Sequence, residues 1–201
     1  MRLEVQTPTG PAWIDLDRPS GKPVALLAIG HGAGGGVDAR DILAVRDAAL
    51  TAQVAVARIT QPYRVAGRRS PAPAPRLDEA WLAAVAALRG QRGLRSPPLV
   101  AAGRSSGARV ACRTATASGA AAVVALAFPV HPPGKPEKTR LDELALPTVP
   151  VLVVQGDRDA FGVPPSDIAE LVVIEGADHS LKKDPKAVAA AVADFILRVT
   201  R

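Results

Sequence analysis

The sequence predicts an α/β protein: a three-layer α/β/α sandwich built on an eight-stranded, mostly parallel sheet. Three observations lead there. Short apolar, β-branched runs alternate with longer Ala- and Leu-rich stretches at helical spacing. The run at 24–29 is apolar throughout, as expected of a strand covered on both faces. A hairpin signal, Thr7-Pro8-Thr9-Gly10 between two short apolar segments, precedes that run. A chain of 201 residues, 48% of them hydrophobic, is expected to fold as one domain over 1–201 with a core of its own.

Taken in order, residues 3–6 and 13–16 form the hairpin strands, and 24–29 is the first buried strand. Asp38 is placed to cap a helix over about 39–52, with Asp41 at its third position as a variant capping box. A strand follows at 54–59. The segment RVAGRRSPAPAPR (64–76) is Pro-rich and basic, which predicts a surface loop. A helix over about 77–89 carries Leu77, Trp81, Val85 and Leu88 along one face, with Trp81 in the core. Next come a strand at 99–102, a helix from about 106 and a strand at 122–128. FPVHPPGKPEKTR (128–140) is a second irregular loop; strands at 151–155 and 171–174 and an amphipathic helix at 185–199 complete the pattern.

Composition narrows the function classes. No apolar run reaches the roughly 18 residues needed to cross a bilayer, and MRLEVQTPTG lacks the apolar core of an export signal. The single Cys112 falls inside a helix and reads as a small buried side chain, which suits a reducing cytoplasm. The net charge of +6 invites a nucleic-acid reading. Against it, the arginines are scattered, and aromatic residues make up only 3% of the chain, too few for a base-stacking surface.

In a parallel sheet flanked by helices, functional groups collect beyond the carboxyl ends of the strands. Four loops stand there: GHGAGGG (30–36), GRSSG (103–107), GDRDAFG (156–162) and EGADHSL (175–181). They carry Ser, Asp and His in that order. GRSSG fits G-x-S-x-G with Ser105 at the centre, between an apolar strand and a helical pattern, where the turn demands small neighbours. A serine hydroxyl needs a base. Of the three histidines, His31 adjoins the glycine loop, His131 lies in the proline-rich loop, and only His179 follows the final strand. The imidazole needs a carboxylate partner; Asp159, further into its loop, is preferred to Asp157, which suits a turn.

GHGAGGG has two readings. Gly30, Gly32 and Gly35 match a dinucleotide fingerprint, and Arg58 at the end of the next strand suits NADP. That reading leaves the hairpin and the Ser–Asp–His loops unexplained. The preferred reading is an oxyanion loop, in which the Ala33 and Ser106 amides face a developing negative charge. No cofactor is then required, and no His/Cys/Asp cluster has metal-ligand spacing. Arg104, beside the serine, and His131 and Lys135 in the second loop are candidate substrate contacts, favouring an acidic acyl group.

HGAGGG, GRSSGARVA, FPVHPPGKPEK, QGDRDAFG and GADHSL resemble the α/β-hydrolase superfamily over essentially the whole chain, without a cap-domain insertion. Within it they look like a small branch related to dienelactone hydrolases, which includes a testis-expressed protein and a subunit of a histone-acetyltransferase complex; the HPPGKPE loop carries this closer likeness. The resemblance implies Ser105 as nucleophile, Asp159 as acid and His179 as base. It departs from dienelactone hydrolases, whose nucleophile is a cysteine, so their lactone substrate does not carry over. The expected activity is hydrolysis of a small-molecule ester or thioester. Because some members of the branch serve as scaffold subunits, the resemblance also implies a second reading, an interaction module with a protein partner.

Overall fold

In the computed structural model, which describes residues 1–200, eight strands form one sheet in the order β1-β2-β4-β3-β5-β6-β7-β8. The strands are β1 (Arg2–Thr7), β2 (Gly10–Asp17), β3 (Ala25–Gly30), β4 (Val54–Thr60), β5 (Leu99–Arg104), β6 (Ala122–Leu126), β7 (Val151–Gly156) and β8 (Glu170–Ile174). β2 runs antiparallel to both of its neighbours, and every pairing from β4 to β8 is parallel. The helices are α1 (Arg40–Thr51), α2 (Pro62–Val65), α3 (Ala74–Arg89), α4 (Ser106–Ser118), α5 (Leu141–Leu144) and α6 (Pro185–Val199).

The three layers follow from the side-chain alternation of the strands. Leu26 and Ala28 face one side of β3 and join Trp81, Leu88, Val110 and Phe128 beneath α3 and α4. Ala25, Leu27 and Ile29 face the other and join Ile42, Val45, Val192, Phe195 and Ile196 beneath α1 and α6. Both faces are therefore covered, which is why β3, β5, β6 and β7 are apolar and buried almost throughout.

The chain leaves β3 through α1 to β4 on one side, then crosses back through α3 to β5 on the other. The sheet order thus reverses between β3 and β5. The loops that follow these two strands diverge there and open a crevice at the carboxyl edge. α4, which begins in that crevice, is anchored by ion pairs: Arg109 reaches both carboxylate oxygens of Glu143 on α5 at 2.6 Å, and Arg113 binds Asp78 on α3 at 2.6 and 2.8 Å.

Two local expectations are corrected. Asp38 does not cap α1: the capping position is Ala39, with no side-chain hydrogen bond, and Asp41 points into the protein with its side chain 2% exposed. The Asp41 carboxylate is turned toward a distant arginine, Arg104, whose Nε lies 3.0 Å from Oδ2. The proline-rich segment 64–76 is also not wholly loop, because α2 includes Val65 and α3 starts at Ala74. Pro62 and Pro75 lie in first turns, where a fixed φ helps and the missing N–H has no acceptor to lose.

Trp81 is 1% exposed and among the largest buried side chains. Replacing it with alanine is expected to cost about 3–5 kcal/mol, read as a lowered midpoint in urea-induced unfolding.

Candidate active site

The turn from β5 into α4 places Ser105. Its backbone is held at φ +53°, ψ −112°, a conformation that costs a non-glycine residue about 1–3 kcal/mol. The Ser105 amide is secured on the Leu126 carbonyl at 2.8 Å. The turn is so tight that a Cβ at Gly103 would lie 2.1 Å from the Gly107 carbonyl carbon, and one at Gly107 would lie 2.7 Å from the His31 carbonyl oxygen. Only glycine leaves room for the two backbones to pass.

Two long-range hydrogen bonds meet at this serine. His179 Nε2 lies 2.9 Å from Ser105 Oγ, and His179 Nδ1 lies 2.8 Å from Asp159 Oδ2. An ionised Asp159 only accepts, so Nδ1 carries the proton of the neutral ring and Nε2 is free to accept from the hydroxyl. Asp159 is itself fixed: Gln155 Nε2 donates to Oδ2 at 2.8 Å and the Phe161 amide donates to Oδ1 at 2.8 Å. Its side chain is wholly buried, whereas Asp157 is exposed. Asp178 closes a turn of its own by accepting from the Ser180 amide at 2.8 Å.

The glycine loop is braced from behind. His31 is 2% exposed; its Nδ1 donates to the Gly32 carbonyl at 2.8 Å and its Nε2 accepts from the Gln61 amide at 3.0 Å. Both ring nitrogens are in use, and burial pushes the imidazole below the usual histidine range, so it stays neutral. The Tyr63 hydroxyl donates to the Ala33 carbonyl at 2.9 Å, and burial lifts its pKa to about 12. Among the described residues none accepts a hydrogen bond from the Ala33 N–H. Ser106, the first residue of α4, has no intrahelical acceptor for its own N–H.

The remaining candidates lie apart from these contacts. Phe161 packs edge-on against the His179 ring at 4.4 Å between centroids, and His131 sits one ring further out, 6.2 Å from Phe161. Lys135 is exposed on its loop. Arg104 is not turned out as a free cation of the kind its position suggested. Its Nη2 donates to the His179 carbonyl at 2.9 Å, and its Nε lies 3.0 Å from Asp41 Oδ2. The roles of Gln155, Gln61 and Tyr63 have no signature in spacing: Gln61 and Tyr63 brace the glycine loop from 30 residues away, and Gln155 holds Asp159 from the end of the preceding strand.

The dinucleotide reading of GHGAGGG fails on placement. α1 begins at Arg40, so the glycine loop does not open directly into a helix. Arg58 is engaged with the Val37 carbonyl at 3.2 Å and Asp17 at 3.3 Å. Cys112 is 1% exposed and its thiol is pushed up to about 12 by burial, which leaves it unreactive. Among the described residues no helix is long and apolar enough to cross a membrane.

A strained serine turn, a glycine loop beside it and a histidine loop after the last strand, all on this sheet order, define an α/β-hydrolase fold. The chain belongs to the alpha/beta hydrolase domain family, whose model matches residues 23–194. Solved structures of similar fold include a lidless α/β serine hydrolase from Xanthomonas campestris (20% identity, 98% of this chain and 94% of that one, TM-score 0.81). An α/β serine hydrolase homologue from Coxiella burnetii aligns at 19% identity over 98% and 97% of the two chains, with TM-score 0.80. Dienelactone hydrolase from Anabaena variabilis aligns at 18% identity over 100% and 98%, with TM-score 0.79. No curated protein matches the sequence.

The brace on the glycine loop carries a pH signature. His31 is held neutral, so its folded pKa lies below its unfolded value of about 6.5. As pH falls below that value the unfolded chain takes up the proton first, and stability drops until the folded pKa is passed. Urea denaturation at pH 7.5 and 5.0 is expected to show this loss in the wild type and a smaller one in His31→Gln.

Proposed function

We propose that this protein is a lidless serine hydrolase of the carboxylesterase or thioesterase type, acting on a small-molecule ester or thioester in the cytoplasm. The observation that carries the reading is the unbroken relay from Ser105 Oγ through His179 to Asp159, with spacings of 2.9 and 2.8 Å. In this reading Ser105 is the nucleophile, His179 the general base and Asp159 the acid that holds the imidazole.

Ser105 Oγ attacks the substrate carbonyl carbon while His179 Nε2 takes the hydroxyl proton. The carbonyl oxygen becomes an oxyanion facing the Ala33 and Ser106 amides, each worth about 3 kcal/mol in the transition state. Collapse breaks the bond to the alcohol or thiol, which leaves with the proton held on Nε2, and an acyl-Ser105 remains. Water then gives its proton to His179, attacks the acyl carbon and releases the acid, and the proton returns to Ser105 Oγ. Asp159 stays ionised throughout and stabilises the transient imidazolium.

The alternative is an interaction module on a retained fold, in keeping with the scaffold members of the dienelactone-hydrolase-related branch that the HPPGKPE loop resembles. Such a module has no need of an aligned relay, and the relay spacing favours hydrolysis. Of the candidate substrate contacts, His131 and Lys135 remain in the proposal, as groups favouring a carboxylate-bearing acyl chain.

A fluorophosphonate probe is expected to label Ser105, identified by mass spectrometry, and labelling should vanish in His179→Ala. Asp159→Asn should lower ester hydrolysis by about 10³–10⁴-fold. A folded wild-type protein that takes no label would sink the hydrolase reading. For the acyl preference, Lys135→Ala is expected to narrow the rate ratio between carboxylate-bearing and neutral esters, and an unchanged ratio removes Lys135 from the site.

A further inference from the structure

Arg104 is the last residue of β5 and stands one position before Ser105, yet its side chain serves three other segments. Nε lies 3.0 Å from the Asp41 carboxylate of α1, and Nη2 donates to the His179 backbone carbonyl at 2.9 Å. Nη1 rests against the glycine loop, 3.0 Å from where a Cβ at Gly32 would stand. The two side chains are largely withdrawn from solvent, Arg104 at 16% and Asp41 at 2% exposure.

A buried ion pair is poor evidence for a purely stabilising role, because desolvating both charges offsets much of their attraction. What this pair does geometrically is specific. The Asp41 carboxylate lies beside Nε of a planar, rigid guanidinium, and Nη2 of the same group donates to a backbone oxygen. That oxygen belongs to the residue whose ring must meet Ser105 and Asp159 at once. The backbone groups of the 175–181 loop otherwise tie Ala177 to Ile174 and Arg158 and close a local turn from Asp178. Among the described residues, Arg104 alone joins the His179 backbone to the strand that leads into the serine.

We infer that Arg104 is a positioning residue: paired with buried Asp41, its guanidinium sets the His179 backbone at a fixed distance from Ser105, keeping both ring nitrogens engaged. Its consequence for turnover rests on the hydrolase reading above; its consequence for the imidazole rests on geometry alone. A displacement of about 1 Å in such a group lowers rates about 100-fold.

The test uses the full chain with two independent readouts. Proton NMR follows the Nδ1 proton of His179 in its hydrogen bond to Asp159, assigned by its loss in His179→Ala. Fluorophosphonate labelling gives the reactivity of Ser105, and hydrolysis of p-nitrophenyl acetate gives kcat and KM. The main variant is Arg104→Met combined with Asp41→Asn, which removes both charges together and spares the fold an unpaired buried carboxylate. We expect it to fold, to lose the Nδ1 resonance, and to label about 10- to 100-fold more slowly. Its kcat should fall by a similar factor while KM stays within about threefold. Arg104→Lys keeps a partner for Asp41 but has no planar fork; it should fold and still label slowly. Arg198→Met, which breaks the exposed pair with Glu170, should match the wild type in every readout.

A folded double variant that keeps the resonance and labels within about twofold of wild type overturns the inference. Should the double variant fail to fold, Arg104→Lys decides in the same way. Absence of the resonance from the wild-type protein also overturns it. If the wild type shows the resonance but takes no label, the hydrolase reading fails, and Arg104 is judged by the resonance alone.

Discussion

Where β5 turns into α4, two stretches of backbone meet with no room for a side chain between them. Gly103 and Gly107 are pressed together across the turn, and Gly107 abuts the backbone of Gly30 and His31. This contact forces Ser105 into a positive φ. It also brings the glycine loop alongside the start of α4. The cost of the strained serine is met by the packing on either side, where α4 lies on a buried sheet and is tied to α3 and α5 by paired charges.

The relay that ends at Ser105 is arranged as a gradient of burial. Asp159 is enclosed, with acceptor sites engaged by Gln155, Phe161 and His179. His179 is half-buried, with Phe161 against one edge of its ring. In a poorly solvated setting a fixed carboxylate is worth more to a transient imidazolium than it would be in water. In the hydrolase reading proposed above, these surroundings favour proton movement between Ser105 and His179, with the carboxylate as a stationary partner.

Two histidines of the same crevice do opposite work. His31 has both ring nitrogens committed to backbone groups and is kept neutral by burial, so it serves as a rigid brace. His179 has its Nε2 on a side-chain hydroxyl and its backbone held by Arg104. Tyr63 and Arg104 are counterparts on the two loops, each donating to a backbone carbonyl, Tyr63 to that of Ala33 and Arg104 to that of His179.

Periodicity and punctuation alone determined the layer order, all eight strands and the four strand-end loops, because these depend on local apolar spacing and on turn chemistry. They also singled out Ser105, His179 and Asp159 as candidates, since each stands at a fixed offset from a strand end. Local reasoning went astray at Asp38, Asp41 and Arg104. An acid ahead of a helix reads as a cap and an arginine beside a serine reads as a free cation, as long as their partners are unknown. Those partners are remote: Arg104 meets Asp41 and, 75 residues away, the carbonyl of His179. Gln61 and His31 are separated by 30 residues, and the Tyr63 hydroxyl finds Ala33 across the same gap. Such contacts have no signature in spacing, because they exist only once the parallel strands have set their carboxyl ends side by side. The elements and the candidate chemistry were therefore local properties of the chain, and the bracing that holds that chemistry in register was decided by the tertiary structure.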